Sequence, residues 1–201
     1  MLARLTLLTL VLTTYLHATT VVCFGDSLTA GLGLNEDQAY PAEIARLASA
    51  AGTPWTIINA GVSGDTTTSG TRRLAWALKT KPDIVVIALG GNDGLRGLSL
   101  DQTRANLSTL IDGVRAAGAT PLLAGMQIPL NYGADYRNAF AAMYPALATE
   151  KQITLLPFLL VGVGGVSALN QPDGIHPTAE GQKLVAATVY AALVPLINRA
   201  P

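Results

Sequence analysis

The chain has 201 residues, the size of one domain, of which 50% are apolar and 13% charged. Lysine plus arginine equals aspartate plus glutamate at 13 each, which leaves no electrostatic case for a nucleic acid partner or an anionic membrane surface. A single cysteine, Cys23, excludes an intramolecular disulfide.

Residues 1–18 read as a secretory signal peptide. Arg4 supplies a positive start, residues 5–16 are apolar with interspersed threonines, and Ala18 is a small residue at a plausible cleavage point. An uncleaved N-terminal anchor is the alternative, although the stretch is short for a membrane span. Cleavage removes Arg4 and leaves 12 basic residues against 13 acidic ones. It also removes His17, so His176 becomes the sole histidine of the mature chain. The expected location is periplasmic or secreted, with no stable membrane anchor after cleavage.

The remainder, 19–201, reads as one α/β domain. Val21-Val22-Cys23-Phe24 is an apolar, partly β-branched run that suits a strand buried on both faces. Cys23 belongs to that strand as a small core residue rather than as a nucleophile. Asp26 and Ser27 follow Gly25 at the strand's carboxyl end, where open α/β sheets bind ligands. A nucleophilic serine fits there. The same three residues also suit a turn that caps the next helix. Residues 30–37 read as a glycine-rich loop. Tyr40-Pro41 then opens a helix that ends at Gly52, since proline is tolerated in a first turn and glycine closes a last one.

Residues 55–59 form the second expected strand, and a Gly/Ser/Thr loop over 61–69 leads into a helix through Leu78. Residues 84–89 (IVVIAL) are the clearest buried strand, followed by Gly90-Gly91-Asn92-Asp93-Gly94. Asp101 is the expected cap of a helix whose apolar positions Leu107, Leu110, Ile111 and Val114 repeat at helical spacing. A fourth strand covers 121–124 and a fifth 153–156. The intervening helix, 134–150, is expected to kink or break near Pro145, and the last one, 178–198, near Pro195. Residues 161–170 are irregular and glycine-rich. Alternating strands and helices give a three-layer α/β/α domain around a five-stranded parallel sheet in flavodoxin-like order 2-1-3-4-5.

A nucleophilic serine needs a base, a group to orient that base, and donors for an oxyanion. Asp173-Gly174-Ile175-His176-Pro177 supplies the first two: a carboxylate three residues before a histidine folds back to it through Gly174. A turn and helix cap is the plainer reading of that stretch. The backbone N–H groups of Ser27 and Gly64 and the Asn92 amide supply three donors on post-strand loops.

The blocks Gly25-Asp26-Ser27-Leu28, Gly64, Gly90-Gly91-Asn92-Asp93 and Asp173-Gly174-Ile175-His176-Pro177 resemble the GDSL, or SGNH, hydrolases, in the family's order and roughly its spacing. The resemblance runs from Val21 to about Ile197. Ser63-Gly64-Asp65-Thr66, residues 90–97 (GGNDGLRG) and Leu155-Leu156-Pro157-Phe158 are similar to the family's bacterial periplasmic thioesterase, lysophospholipase and arylesterase group. It implies Ser27 as nucleophile, His176 as base, Asp173 as its partner, and Ser27, Gly64 and Asn92 as oxyanion hole. The expected substrate is a small acyl ester or thioester, with no metal or organic cofactor, and the expected state a monomer. Residues 161–167 match no family block. Leu95 and Leu98, with Ile128, Pro129 and Leu130, are apolar residues at the same sheet edge and are the expected acyl-binding wall. The rival within enzymes is a carbohydrate acetyl-esterase, disfavoured by 5% aromatics. The rival outside them is a nucleotide-binding module, disfavoured because neither G-x-G-x-x-G nor G-x-x-x-x-G-K-[ST] occurs.

Overall fold

A computed structural model of the protein describes residues 18–198. The expected leader lies, but for Ala18, outside the described residues. Five strands form one parallel sheet: β1 (Thr20–Gly25), β2 (Thr56–Gly61), β3 (Ile84–Ala88), β4 (Thr120–Ala124) and β5 (Thr154–Leu156). Their spatial order is β2-β1-β3-β4-β5, the expected one. The register pairs Val22 with Ile58 on one side and with Val85 on the other. The central strands β1 and β3 are buried along nearly their whole length, which is why they read as unbroken apolar runs.

Among the described residues seven helices cover the sheet: α1 (Ser27–Ala30), α2 (Tyr40–Ala50), α3 (Thr67–Leu78), α4 (Gly91–Leu95), α5 (Leu100–Ala116), α6 (Ala134–Lys151) and α7 (Ala179–Ile197). α2 packs on α7, while α3, α5 and α6 pack side by side. Right-handed crossovers put these two sets on opposite faces of the sheet. Leu107, Leu110, Ile111 and Val114 are fully buried beneath α5, as their spacing predicts.

Three local expectations are corrected. Both α6 and α7 run unbroken through their prolines. Pro145 and Pro195 are exposed, so the carbonyls they leave without a helical donor are solvated, while neighbours such as Tyr144, Leu147 and Leu193 hold the helices on the core. Ser99, not Asp101, caps α5, its hydroxyl accepting from the Gln102 N–H at 3.3 Å. The segment after β1 begins with a helical turn, α1, as the helix-cap reading of Gly25-Asp26-Ser27 expects. The segment after β3 is likewise helical, so Asn92 sits on α4 rather than on a loop.

Candidate active site

The sheet ends β1 at Gly25, where a Cβ would lie 2.0 Å from Thr29 Oγ1 and 2.8 Å from the Ala88 carbonyl. Only glycine allows α1 to turn back this tightly. Asp26 caps α1, its Oδ1 accepting from the Leu28 N–H at 3.0 Å. The cap reading of Gly-Asp-Ser holds for Asp26, and the same turn presents Ser27 at the sheet edge. The Ser27 hydroxyl, in a residue only 8% exposed, lies 2.8 Å from His176 Nε2. His176 Nδ1 lies 2.6 Å from Asp173 Oδ2.

The other Asp173 oxygen accepts the backbone N–H groups of Ile175 at 2.9 Å and His176 at 3.0 Å. Gly174 has a φ of +70°, which lets the chain fold back in this way. The His176 backbone N–H, then its ring, then the Ile175 N–H hold the Asp173 carboxyl down at about 2. An ionised Asp173 fixes Nδ1 as the protonated nitrogen and leaves Nε2 to accept from Ser27.

Asp26 has the opposite environment. It is 2% exposed, and burial raises its carboxyl to about 6, against the lowering effect of the Leu28 N–H. Its Oδ2 accepts from the Asn92 amide at a long 3.4 Å. The same amide nitrogen donates to the Asp65 carbonyl at 3.0 Å. The Asn92 side chain is thereby oriented between Asp65 and Asp26. Gly64 has a φ of +83° and joins Ser27, Asn92 and His176 around one pocket of about 230 Å³. The structure thus brings Ser27, Gly64, Asn92 and His176 together, with Asp173 behind the imidazole.

Several residues that hold this arrangement were missed from the sequence. Buried Asp93 accepts from the Thr67 N–H at 2.9 Å, the Thr67 hydroxyl at 2.6 Å and the Thr103 hydroxyl at 3.3 Å. It ties α4, which carries Asn92, to the starts of α3 and α5. Arg73 donates to the carbonyls of Gly25 and Ala60, each at 2.7 Å, and pairs with Asp65. Its guanidinium lies 4.0 Å over the Phe24 ring. Arg73 thus ties the ends of β1 and β2 to the loop that carries Gly64. Gln182 on α7 accepts from the Tyr40 N–H at 2.9 Å and donates to the Leu28 carbonyl at 3.1 Å. It joins the helix that follows His176 to the helix that carries Ser27. A polar side chain facing into an otherwise apolar helix is the one signal that marks Gln182 in advance.

Beside this pocket lies an apolar cavity of about 350 Å³. Leu28, Gly91, Leu95 and Ile175 line both, so the two are contiguous. Of the expected wall residues, Leu95, Ile128, Pro129 and Leu130 line the cavity. Leu98 lines neither space: it is 40% exposed, and its carbonyl accepts from the Tyr136 hydroxyl at 3.0 Å. Ile128 also packs into the main core, so it serves the fold as well as the cavity wall. Met126, Phe158 and Leu160 complete the apolar wall. The unassigned stretch 161–167 supplies a further part of it through Gly164 and Gly165. Buried Val163 and the Asn170 amide, which donates to the Val163 and Val166 carbonyls, hold that stretch in place. Among the described residues no group of three or more His, Cys, Asp and Glu is placed to hold a metal ion.

Residues 23–184 match the model of the GDSL-like Lipase/Acylhydrolase family. Esterase TesA of Pseudomonas aeruginosa is 42% identical over 187 residues, covering 92% of this chain and 93% of that protein. Thioesterase 1/protease 1/lysophospholipase L1 of Escherichia coli is 41% identical over 186 residues, covering 90% and 86%. The crystal structure of the psychrotrophic esterase EstA from Pseudoalteromonas sp., inhibited by monoethylphosphonate, superposes with a TM-score of 0.85 at 31% identity, covering 90% of this chain and all of that one. A family model over most of the chain and relatives above 40% identical over nine-tenths of it show that the chain belongs to the GDSL-like Lipase/Acylhydrolase family and is a hydrolase.

Proposed function

We propose that this enzyme cleaves carboxylic esters and thioesters of apolar acyl groups through an acyl-enzyme on Ser27. The observation that carries this reading is the 2.8 Å contact of Ser27 Oγ with His176 Nε2 beside an apolar cavity. His176 takes the hydroxyl proton as Ser27 Oγ attacks the acyl carbon. Asp173 stabilises the imidazolium that forms. The Ser27 and Gly64 N–H groups and the Asn92 amide receive the oxyanion, in fixed positions that need no reorganisation as charge develops. His176 then returns its proton to the leaving alcohol or thiol. Water, deprotonated by the same imidazole, attacks the acyl-enzyme and releases the acid.

The acyl chain occupies the apolar cavity along Leu95, Ile128, Pro129 and Leu130. A sugar ester would find little there to bind its hydroxyls. A fluorophosphonate probe is expected to label Ser27 and nothing else, and aryl esters and acyl-CoAs are expected to turn over. Labelling at another residue overturns the assignment.

Among the described residues no helix is long and apolar enough to cross a membrane. The reading includes a monomer exported to the periplasm or medium after cleavage near Ala18. Intact mass of the protein in each cell fraction decides between that and a retained leader.

A further inference from the structure

The apolar cavity carries one charged side chain. Arg137, on the first turn of α6, lines it, and Gln127 is the other polar side chain on its wall. Arg137 does not line the pocket that holds Ser27 and His176. Its backbone N–H bonds the Gly133 carbonyl at 3.2 Å, but its side chain has no ion pair or hydrogen bond among the described residues. Its Nε is buried and has no acceptor.

An unpartnered buried donor is costly, more so on a charged group. Other arginines near the site are spoken for: Arg73 on Asp65, Ala60 and Gly25, and Arg96 on the Gly64 carbonyl at 3.0 Å. A guanidinium presents a planar fork of donors that matches a carboxylate or phosphate. A cavity with apolar walls and one such fork selects a ligand with an apolar spacer and an anionic group.

We propose that Arg137 is an anion-recognition residue, so that the preferred substrates carry, beside an apolar acyl chain, a carboxylate or phosphate remote from the scissile bond. The proposal rests on the acyl-hydrolase reading above. The anion has two possible sources: the far end of the acyl chain, as in a half-ester of a dicarboxylic acid, or a phosphate on the leaving alcohol.

Two matched pairs separate these sources: aryl hydrogen suberate against aryl octanoate, and an acyl glycerophosphate against the monoacylglycerol of the same chain. The readout is the ratio of kcat/KM for the anionic member to that for the neutral one. In Arg137→Gln this ratio is expected to fall about tenfold or more in one pair, and in Arg137→Lys by less, because a point charge keeps attraction but loses the fork. The pair that responds identifies the source. Ratios equal to wild type in both pairs overturn the proposal. Calorimetry needs no turnover: Ser27→Ala protein should bind the anionic ester of one of these pairs more tightly than its neutral partner, and Ser27→Ala/Arg137→Gln should lose that preference. If the neutral esters are not hydrolysed at all, the acyl-hydrolase reading fails, and the binding comparison still decides Arg137. Equal loss of both ligands would mean a misfolded cavity wall and no anion site.

Discussion

Two adjoining spaces, the Ser27 pocket and the apolar cavity, share Leu28, Gly91, Leu95 and Ile175 and are built in different ways. Hydrogen bonds with defined lengths hold the first: Asp173 on His176, Asn92 on Asp65, Asp93 on Thr67. Packing alone holds most of the second, and apart from Leu28 its residues come from the segments after β3, β4 and β5. The chemistry of acyl transfer is the same for every ester, so the polar pocket has little freedom. On the proposed function, substrate choice belongs to the cavity, where side chains can change without disturbing the contacts among Ser27, His176 and Asp173. Substitutions in the first space should therefore lower turnover for all substrates, and those in the second should reorder substrates.

The largest effect separating the two is expected at Ser27. Ser27→Ala should lower kcat by on the order of 10⁴-fold or more for short and long acyl esters alike, while the protein stays folded. A residual rate that varies with acyl length would mean that the cavity brings its own nucleophile, and the division would fail. Asn92→Ala comes next. Loss of one oxyanion donor lowers kcat by roughly 10²–10³-fold. KM for any acyl length should barely change. A raised KM with kcat intact would move Asn92 from the chemistry to ground-state binding.

These two residues were legible in the sequence for a local reason. Ser27, Gly64, Asn92, Asp173 and His176 each lie in a short stretch whose backbone geometry is set by adjacent glycines and by the sheet edge. Once five strands are recognised, the parallel topology brings those stretches together. Gln182 was not legible, because its partners Tyr40 and Leu28 are 142 and 154 residues away in sequence. Nor was Asp93, which passes as part of a turn until Thr67 and Thr103 are seen donating to it. Leu98 shows the limit of apolar patterning: it stands three residues from Leu95, yet the end of α4 turns it outward. The exposure that lets α6 and α7 tolerate proline is a tertiary property, invisible to propensity.

A third test concerns Asp26 and lies on the polar side. Its carboxyl is raised from 3.8 to about 6 by burial. The folded state therefore holds this proton while the unfolded state releases it. Stability contributed by the neutral form is full below pH 3.8 and is lost as pH rises toward 6, by about 3 kcal/mol in all. Asp173, lowered to about 2, acts in the opposite sense and below this window. Asp26→Asn keeps an acceptor for the Leu28 N–H and cannot ionise. Urea unfolding at pH 4 and pH 7 should show the variant gaining on wild type by about 2 kcal/mol between the two, since part of the loss already lies below pH 4. A difference that does not move with pH would mean that Asp26 is ionised throughout.

The smallest effect per group, and the one specific to the cavity, is acyl-length preference. Each methylene transferred from water into an apolar wall contributes about 0.8 kcal/mol, close to fourfold in kcat/KM. Wild-type kcat/KM should therefore rise from acetyl toward medium chains until the cavity is full. Leu95 is the side chain for testing this, since it is half-buried and lines both spaces. Ile128 is a poorer choice for a charge because it is 7% exposed and packs in the core, so its Asp variant would mix binding with folding. Leu95→Asp should flatten the rise with chain length more than it lowers acetyl-ester turnover, because acetyl does not reach the wall. Leu98→Asp, on a side chain outside both spaces, should leave the slope alone. Were Leu98→Asp to flatten the slope as much as Leu95→Asp, the acyl path would run over the outer surface of α4 instead of into the cavity.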